Sequence, residues 1–92
     1  MKRFAWNDDK NRWLQEHRQI SFEQITEAIV GGGLRDILDS RDPVRYPTQR
    51  RYVVFCEGYT YAVPCVEDAE TIFLKTAYRD RRLYRRYGHK RS

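Results

Sequence analysis

A chain of 92 residues with 40% hydrophobic and 14% aromatic content has material for one small core and no second domain. Charged residues make up 34% and the net charge is +5, so the chain has a heavily ionised surface suited to a polyanionic partner. No long apolar run and no secretory signal pattern is present, which leaves a membrane-spanning helix out and sets the expectation of a soluble, cytoplasmic protein.

The chain opens with a strand candidate, Met1–Trp6, with Phe4 and Trp6 on one face. Asn7-Asp8-Asp9 supplies a helix N-cap and acids for the positive end of the dipole. The first helix is predicted over Asp9–Arg18, with Lys10, Trp13, Leu14 and His17 on one face and Trp13 and Leu14 as its anchors. Ser21 and Gln24 have capping-box spacing, and Ile20 with Ile25 forms a hydrophobic staple. Phe22, Ile25, Ala28 and Ile29 then make the buried stripe of a second helix. Gly31-Gly32-Gly33 ends it; without a following Gly-Lys-Ser/Thr, the glycines read as a C-cap and turn rather than a phosphate loop.

Leu34–Ser40 is a weakly patterned strand, and Arg41–Arg50, with two of the three prolines, an exposed loop. Tyr52–Cys56 is β-branched and aromatic, hence a central strand; Glu57-Gly58 turns it into a hairpin with Tyr59–Val66, where Pro64 marks an edge or a bulge. Cys56 and Cys65 lack metal-ligand spacing and read as small buried hydrophobes. The last strand is predicted to run unbroken over Thr71–Arg79, with Lys75 and Arg79 on one face roughly 13 Å apart at about 3.3 Å per residue. Asp80 caps a short helix carrying Leu83 and Tyr87, and Gly88 stops it. The order β-α-α-β-β-β-β-α places two helices on one face of a mostly antiparallel sheet of four to five strands and leaves the other face partly open.

The charge is not evenly spread. From residue 75 onward eight Lys/Arg stand against one acid, Asp80, whereas residues 1–74 carry ten basic and twelve acidic side chains. A sheet face bearing Lys75, Arg79, Arg50 and Arg51, with Tyr59, Tyr61 and Tyr78 nearby, suits RNA: guanidinium groups fork onto phosphate oxygens and tyrosines stack on splayed bases. Cleavage needs no metal there, because RNA carries its own 2′-OH nucleophile. His17 is the one histidine inside a predicted element; His89 lies in the tail.

Phe4-Ala5-Trp6-Asn7, Lys10, His17 and Ser21-Phe22-Glu23 resemble the BrnT family of type II toxins, whose pattern is Phe-x-Trp-Asp, a Lys, a Lys-His closing the first helix and a Ser-Phe-Glu-Glu helix start. Arg85-Arg86-Tyr87 is similar to that family's basic ending. Asn7 stands where the family has Asp, Glu16 where it has Lys, and Phe73–Ala77 where it tends to read Ile-Ile-Ser-Ala-Arg, so Lys75 or Arg79 takes the place of the strand-borne Arg. The resemblance implies a single domain over residues 1–92 with a RelE-like α+β fold, a translation-inhibiting endoribonuclease activity and a cognate antitoxin.

On this reading Lys75, Arg79 and Arg51 hold the scissile phosphate, and Tyr61 supports acid–base chemistry, with His17 as a family-matched position. Arg50, Tyr59, Tyr78, Arg81 and Arg82 bind RNA. No cofactor or metal is called for. The alternatives are a non-catalytic RNA- or ribosome-binding module and an interaction protein whose basic tail docks an acidic partner.

Overall fold

The computed structural model describes residues 2–88; His89 and the two tail cations counted above, Lys90 and Arg91, lie outside them. Strand β1 (Arg3–Trp6) leads into helix α1 (Asp8–Arg18), and Asn7 caps it by accepting the Lys10 backbone N–H at 2.9 Å. Helix α2 (Phe22–Ala28) starts on a complete capping box: the Ser21 hydroxyl accepts from Gln24 N–H at 3.1 Å, and Ser21 N–H donates to Gln24 Oε1 at 2.9 Å. Both helices therefore begin where short-range hydrogen bonding dictates.

Between the two helices lies a buried polar joint. Asn11, only 7% exposed, accepts the Phe22 N–H at 2.7 Å and donates to Glu23 Oε1 at 2.8 Å, which holds Glu23 below the ordinary carboxylate range. Leu14, Ile20, Phe22 and Ile25 are buried beside it. Each such side chain contributes about 1.5–3 kcal/mol through loss of apolar surface to water. Trp13 does not anchor α1 as predicted. It is 38% exposed, because Asn11 and Leu14 alone turn inward and the arc from Lys10 to His17 is too wide to bury whole. Trp6 of β1 stacks on Phe22 at 5.6 Å between ring centroids.

After α2 the chain makes a π-helical turn, Ile29–Gly33, and passes into β2 (Leu34–Asp39). Gly32 takes φ 98° there, and a Cβ on Gly33 would lie 2.5 Å from the Phe55 carbonyl oxygen. The glycines thus serve the turn and a close backbone crossing. Strand β3 (Gln49–Cys56) and β4 (Tyr59–Glu67) form the central hairpin, closed by Glu57 (φ 52°) and Gly58 (φ 79°), both left-handed as a primed two-residue turn requires.

The sheet is mixed and has six strands, more than the sequence pattern suggests: β1 pairs in parallel with β5 (Thr71–Leu74), and the order runs β1-β5-β4-β3-β2 with β6 (Tyr78–Arg79) also on β4. The sixth strand exists because Thr71–Arg79 is not continuous. Residues 75–77 leave the ladder. Ile72 and Leu74 belong to the helix-side core and so does Ala77, so the inward–outward alternation slips by one residue across the break. Lys75 and Arg79 consequently do not share a face.

Pro64 sits on neither an edge strand nor a bulge. It pairs with Arg51 in the central strand, and its carbonyl accepts the Lys75 N–H at 2.8 Å. Its N and O thus point to the side where β5 has ended and β6 has not begun, so the missing N–H coincides with the interrupted ladder.

Helices α1 and α2 cover one face with the main core. Over the other lie α3 (Arg81–Leu83) and a second π-helical turn, Tyr84–Gly88, which pack Leu83 and Tyr87 with Val53, Ala62, Leu38 and Tyr78. Asp80 caps α3 by accepting Leu83 N–H at 3.0 Å, and Tyr87 Oη donates to Asp36 of β2 at 2.7 Å. Cys56 and Cys65 are both buried and unbridged, and burial pushes their thiols up to about 11 and about 12.

Candidate nucleic-acid interface

Alternation along β3 sends Tyr52 and Val54 into the helix-side core and Arg51 and Val53 to the opposite face. Arg51 emerges opposite Pro64, and its Nε is buried with no hydrogen-bond partner. Around it lies a hollow of about 560 Å³ lined by Leu38, Arg41, Arg51, Asp80, Arg82, Leu83 and Arg86. Strand β2 and its following loop supply one wall, and α3 with the following turn the other. None of these four arginines forms an ion pair with a carboxylate among the described residues.

A second hollow, about 320 Å³, adjoins the first through Arg41 and Arg51, and Arg50, Tyr46, Gln49, Pro64 and Tyr78 help to line it. Arg50 is largely committed: its Nη1 donates to the Pro47 and Gln49 carbonyls, both at 2.9 Å, and its Nε lies 4.0 Å from Asp39. Tyr78 is shared in turn with a third hollow of about 370 Å³, whose other walls are Arg18, Gln19, Tyr61 and Arg79. There Arg18, at the end of α1, donates to the Ala77 carbonyl at 2.8 Å. Arg79 Nε donates to Tyr61 Oη at 3.3 Å, a contact that holds Arg79 above the ordinary guanidinium value, and the guanidinium lies 5.1 Å from the Tyr59 ring centroid. Tyr59 stacks in turn on Tyr84 at 4.4 Å.

Seven guanidinium groups thus line three adjoining hollows with two carboxylates, Asp42 and Asp80. Tyr46 and Tyr78 stand among them, and the buried Tyr61 backs the third hollow. Such a track matches a phosphate backbone with bases that need aromatic platforms.

The sequence-chosen residues divide. Arg51, Arg79, Tyr61, Arg50, Tyr78 and Arg82 line the hollows, and Tyr59 backs Arg79. Lys75 and Arg81 are exposed and line none of the three; Lys75 lies in the break between β5 and β6. His17 also lies off the track, on the outer face of α1. Its ring stacks on Trp13 at 4.5 Å and its Nδ1 lies 3.0 Å from the Trp13 carbonyl oxygen. Lys10 and Arg18 flank the same indole at 4.2 and 4.8 Å.

Arg18, Arg41 and Tyr46 were not singled out by residue-level reasoning, since each joins the track only through tertiary contact; Arg86 stood out only as part of the basic ending, with no role of its own. The one prior signal was the Arg-Tyr-Pro composition of the 41–50 loop. Among the described residues no group of three or more His, Cys, Asp or Glu side chains could hold a metal ion, and no helix is long and apolar enough to cross a membrane. Comparison with protein-family models, curated proteins and solved structures finds no match to this chain.

Proposed function

We propose that this chain is an RNA-directed toxin: a metal-independent endoribonuclease that inhibits translation and is held in check by a cognate antitoxin. The observation that supports the reading is the continuous run of Arg18, Arg79, Tyr78, Arg51, Arg41 and Arg82 along adjoining hollows of one small domain. Cations placed this way neutralise a phosphate backbone, and their sequence-independent attraction sets most of the affinity.

Cleavage is assigned to the hollow holding Arg79 and Tyr61. A phosphodiester seated between Arg18 and Arg79 has its charge balanced as the phosphorane develops. The ribose 2′-oxygen bonds to phosphorus, the bond from phosphorus to the 5′-oxygen breaks, and the proton lost from the 2′-OH is made good at the leaving 5′-oxygen. The products end in a 2′,3′-cyclic phosphate and a 5′-hydroxyl. Tyr61 accepts a hydrogen bond from Arg79 and is only 1% exposed, so its part is to hold that guanidinium, while water carries the exchanged proton. Tyr59, beneath the Arg79 guanidinium, positions it.

A second reading, an RNA-binding module without catalysis, rests on a specific observation: His17, the histidine among the described residues, lines none of the three hollows, and Asp80, a carboxylate of the first, already caps α3. The two readings separate in cells. Induced expression of the parent chain arrests growth and lowers protein synthesis, and Arg79→Ala restores both while the purified variant keeps its circular dichroism spectrum. Full growth arrest by folded Arg79→Ala overturns the assignment of Arg79, and absence of arrest by the parent without its antitoxin removes the toxin reading.

A further inference from the structure

The hollow around Arg51 is more basic than a passing RNA strand needs. Arg41, Arg51, Arg82 and Arg86 line it with one carboxylate, Asp80, whose Oδ1 is occupied by the Leu83 N–H at 3.0 Å; from outside the lining Asp36 attracts Arg86, which leaves three of the four without such a partner. One phosphodiester brings one negative charge, so it would leave most of this cluster uncompensated. A phosphate monoester brings about 1.5 to 2 charges at neutral pH and three strong acceptor oxygens. Guanidinium forks suit those oxygens, and Leu38 and Leu83 in the lining strengthen the attraction by displacing water.

Of the three hollows it is an outer one, sharing lining residues with only one of the other two. It opens onto its neighbour through Arg41 and Arg51, while its far side is formed by α3 and the turn after it. The Tyr87–Asp36 hydrogen bond, 2.7 Å, ties that turn to β2. A strand threaded past Tyr78 meets α3 and its following turn here, last of the three hollows. Arg51 gives the site a fixed element: it stands on a central strand, and its buried Nε has no protein partner.

We infer that this hollow is a terminal-phosphate site, which reads the phosphorylated end of a single-stranded RNA and sets the register of the chain along the track. The inference rests on the RNA reading above and narrows it to RNA bearing a terminal monoester.

The test uses the full chain and one decamer sequence with 2′-O-methyl riboses, which cannot be cleaved, carrying a 5′-phosphate, a 3′-phosphate or hydroxyls at both ends. Affinity is read by fluorescence anisotropy at one salt concentration. One of the two phosphorylated forms binds about tenfold or more tightly than the hydroxyl-ended form, as expected for one charge-assisted bidentate contact. That ratio collapses to about one in Arg51→Gln and in Arg82→Gln. It persists in Arg12→Gln, whose side chain pairs with Asp9 on α1 away from the hollow. Arg82 is exposed, so its variant folds even if Arg51→Gln does not. Tight and equal binding of all three forms overturns the terminal-phosphate site and leaves the RNA reading intact. If no decamer binds but inorganic phosphate raises Tm in the parent and not in Arg82→Gln, the anion site stands and the RNA reading falls.

Discussion

If RNA lies along the arginine track, the salt dependence of binding should count its cations. Single-stranded nucleic acid loses about 0.7 in the slope of log K against log salt for each phosphate neutralised. Seven guanidinium groups line the three hollows, but Arg18 donates to Ala77 O, and Arg50 to Pro47 O and Gln49 O. The five others give a slope of about −3.5, and all seven about −5. The weaker figure corresponds to an affinity loss of roughly 100-fold between 50 and 200 mM salt, as counterion release dictates. Replacing Arg82 and Arg86 by Gln removes two cations from the surface of α3 and its following turn, where both are exposed. The slope then falls to about −2, and the loss over the same salt range to roughly 20-fold. The assay is fluorescence anisotropy with an uncleavable oligoribonucleotide over a salt series. A double variant that binds more weakly at every salt with an unchanged slope would refute the placement of phosphates at these side chains.

The scaffold makes its own predictions. Asn11→Ala leaves the Phe22 N–H buried without an acceptor and Glu23 without its donor. It costs about 2 kcal/mol and lowers Tm by roughly 8–16 °C by thermal unfolding, and a loss under about 0.5 kcal/mol would contradict the joint. The three glycines differ: Gly33→Ala drives a Cβ to 2.5 Å from Phe55 O and 2.9 Å from Ala28 O and destabilises by about 1–3 kcal/mol, whereas Gly31→Ala meets nothing within 4 Å. Gly31→Ala is neutral or stabilising by up to about 1 kcal/mol in denaturant unfolding, and equal losses at both sites would be inconsistent with the turn. Glu67 accepts from Lys2 Nζ at 2.6 Å and Tyr52 Oη at 3.1 Å, and these donors hold its carboxyl below the ordinary range. Its contribution is therefore complete above the unfolded value of about 4.3 and lost as pH falls through the lower folded value. Glu67→Gln should be less stable than the parent at neutral pH and converge with it in acid, as urea midpoints across pH will show.

The local punctuation of this fold was legible because it depends on residues within a few positions of one another. Asn7 caps α1, Ser21 and Gln24 close a capping box, and Glu57-Gly58 turns the hairpin, each by contacts over short separations. The break after Leu74 was not legible. The residues from Thr71 to Arg79 keep a plausible strand composition throughout, and the slip of alternation is visible only where Ala77 enters the core. Pro64 was the clue: a central strand accommodates it where its neighbour is interrupted, and Lys75 N–H donates to its carbonyl at that point. Trp13 misled because helical spacing identifies an arc and not its inward residue; the indole instead carries Lys10, His17 and Arg18 around it.

Of the described cations in the basic segment, Arg79, Arg82 and Arg86 line the hollows, and Lys75, Arg81 and Arg85 do not. Arg82 and Arg86 of that segment line the first hollow, but their companions Arg41 and Arg51 come from the loop after β2 and from β3, far away in sequence. Arg18 reaches Arg79 and Tyr61 from α1 through a contact to Ala77, which nothing in the order of residues announces. Charge totals set the expectation of a polyanionic partner; tertiary pairing decides which cations stand together.

Cleavage of purified RNA by the purified chain in excess EDTA tests the central claim most directly, with Arg79→Ala and Arg51→Ala prepared in parallel. The account predicts fragments ending in 2′,3′-cyclic phosphate from the parent and none from either folded variant, with ribosomes added if free RNA is spared. Intact RNA under both conditions, or equal cutting by parent and variants, would contradict it.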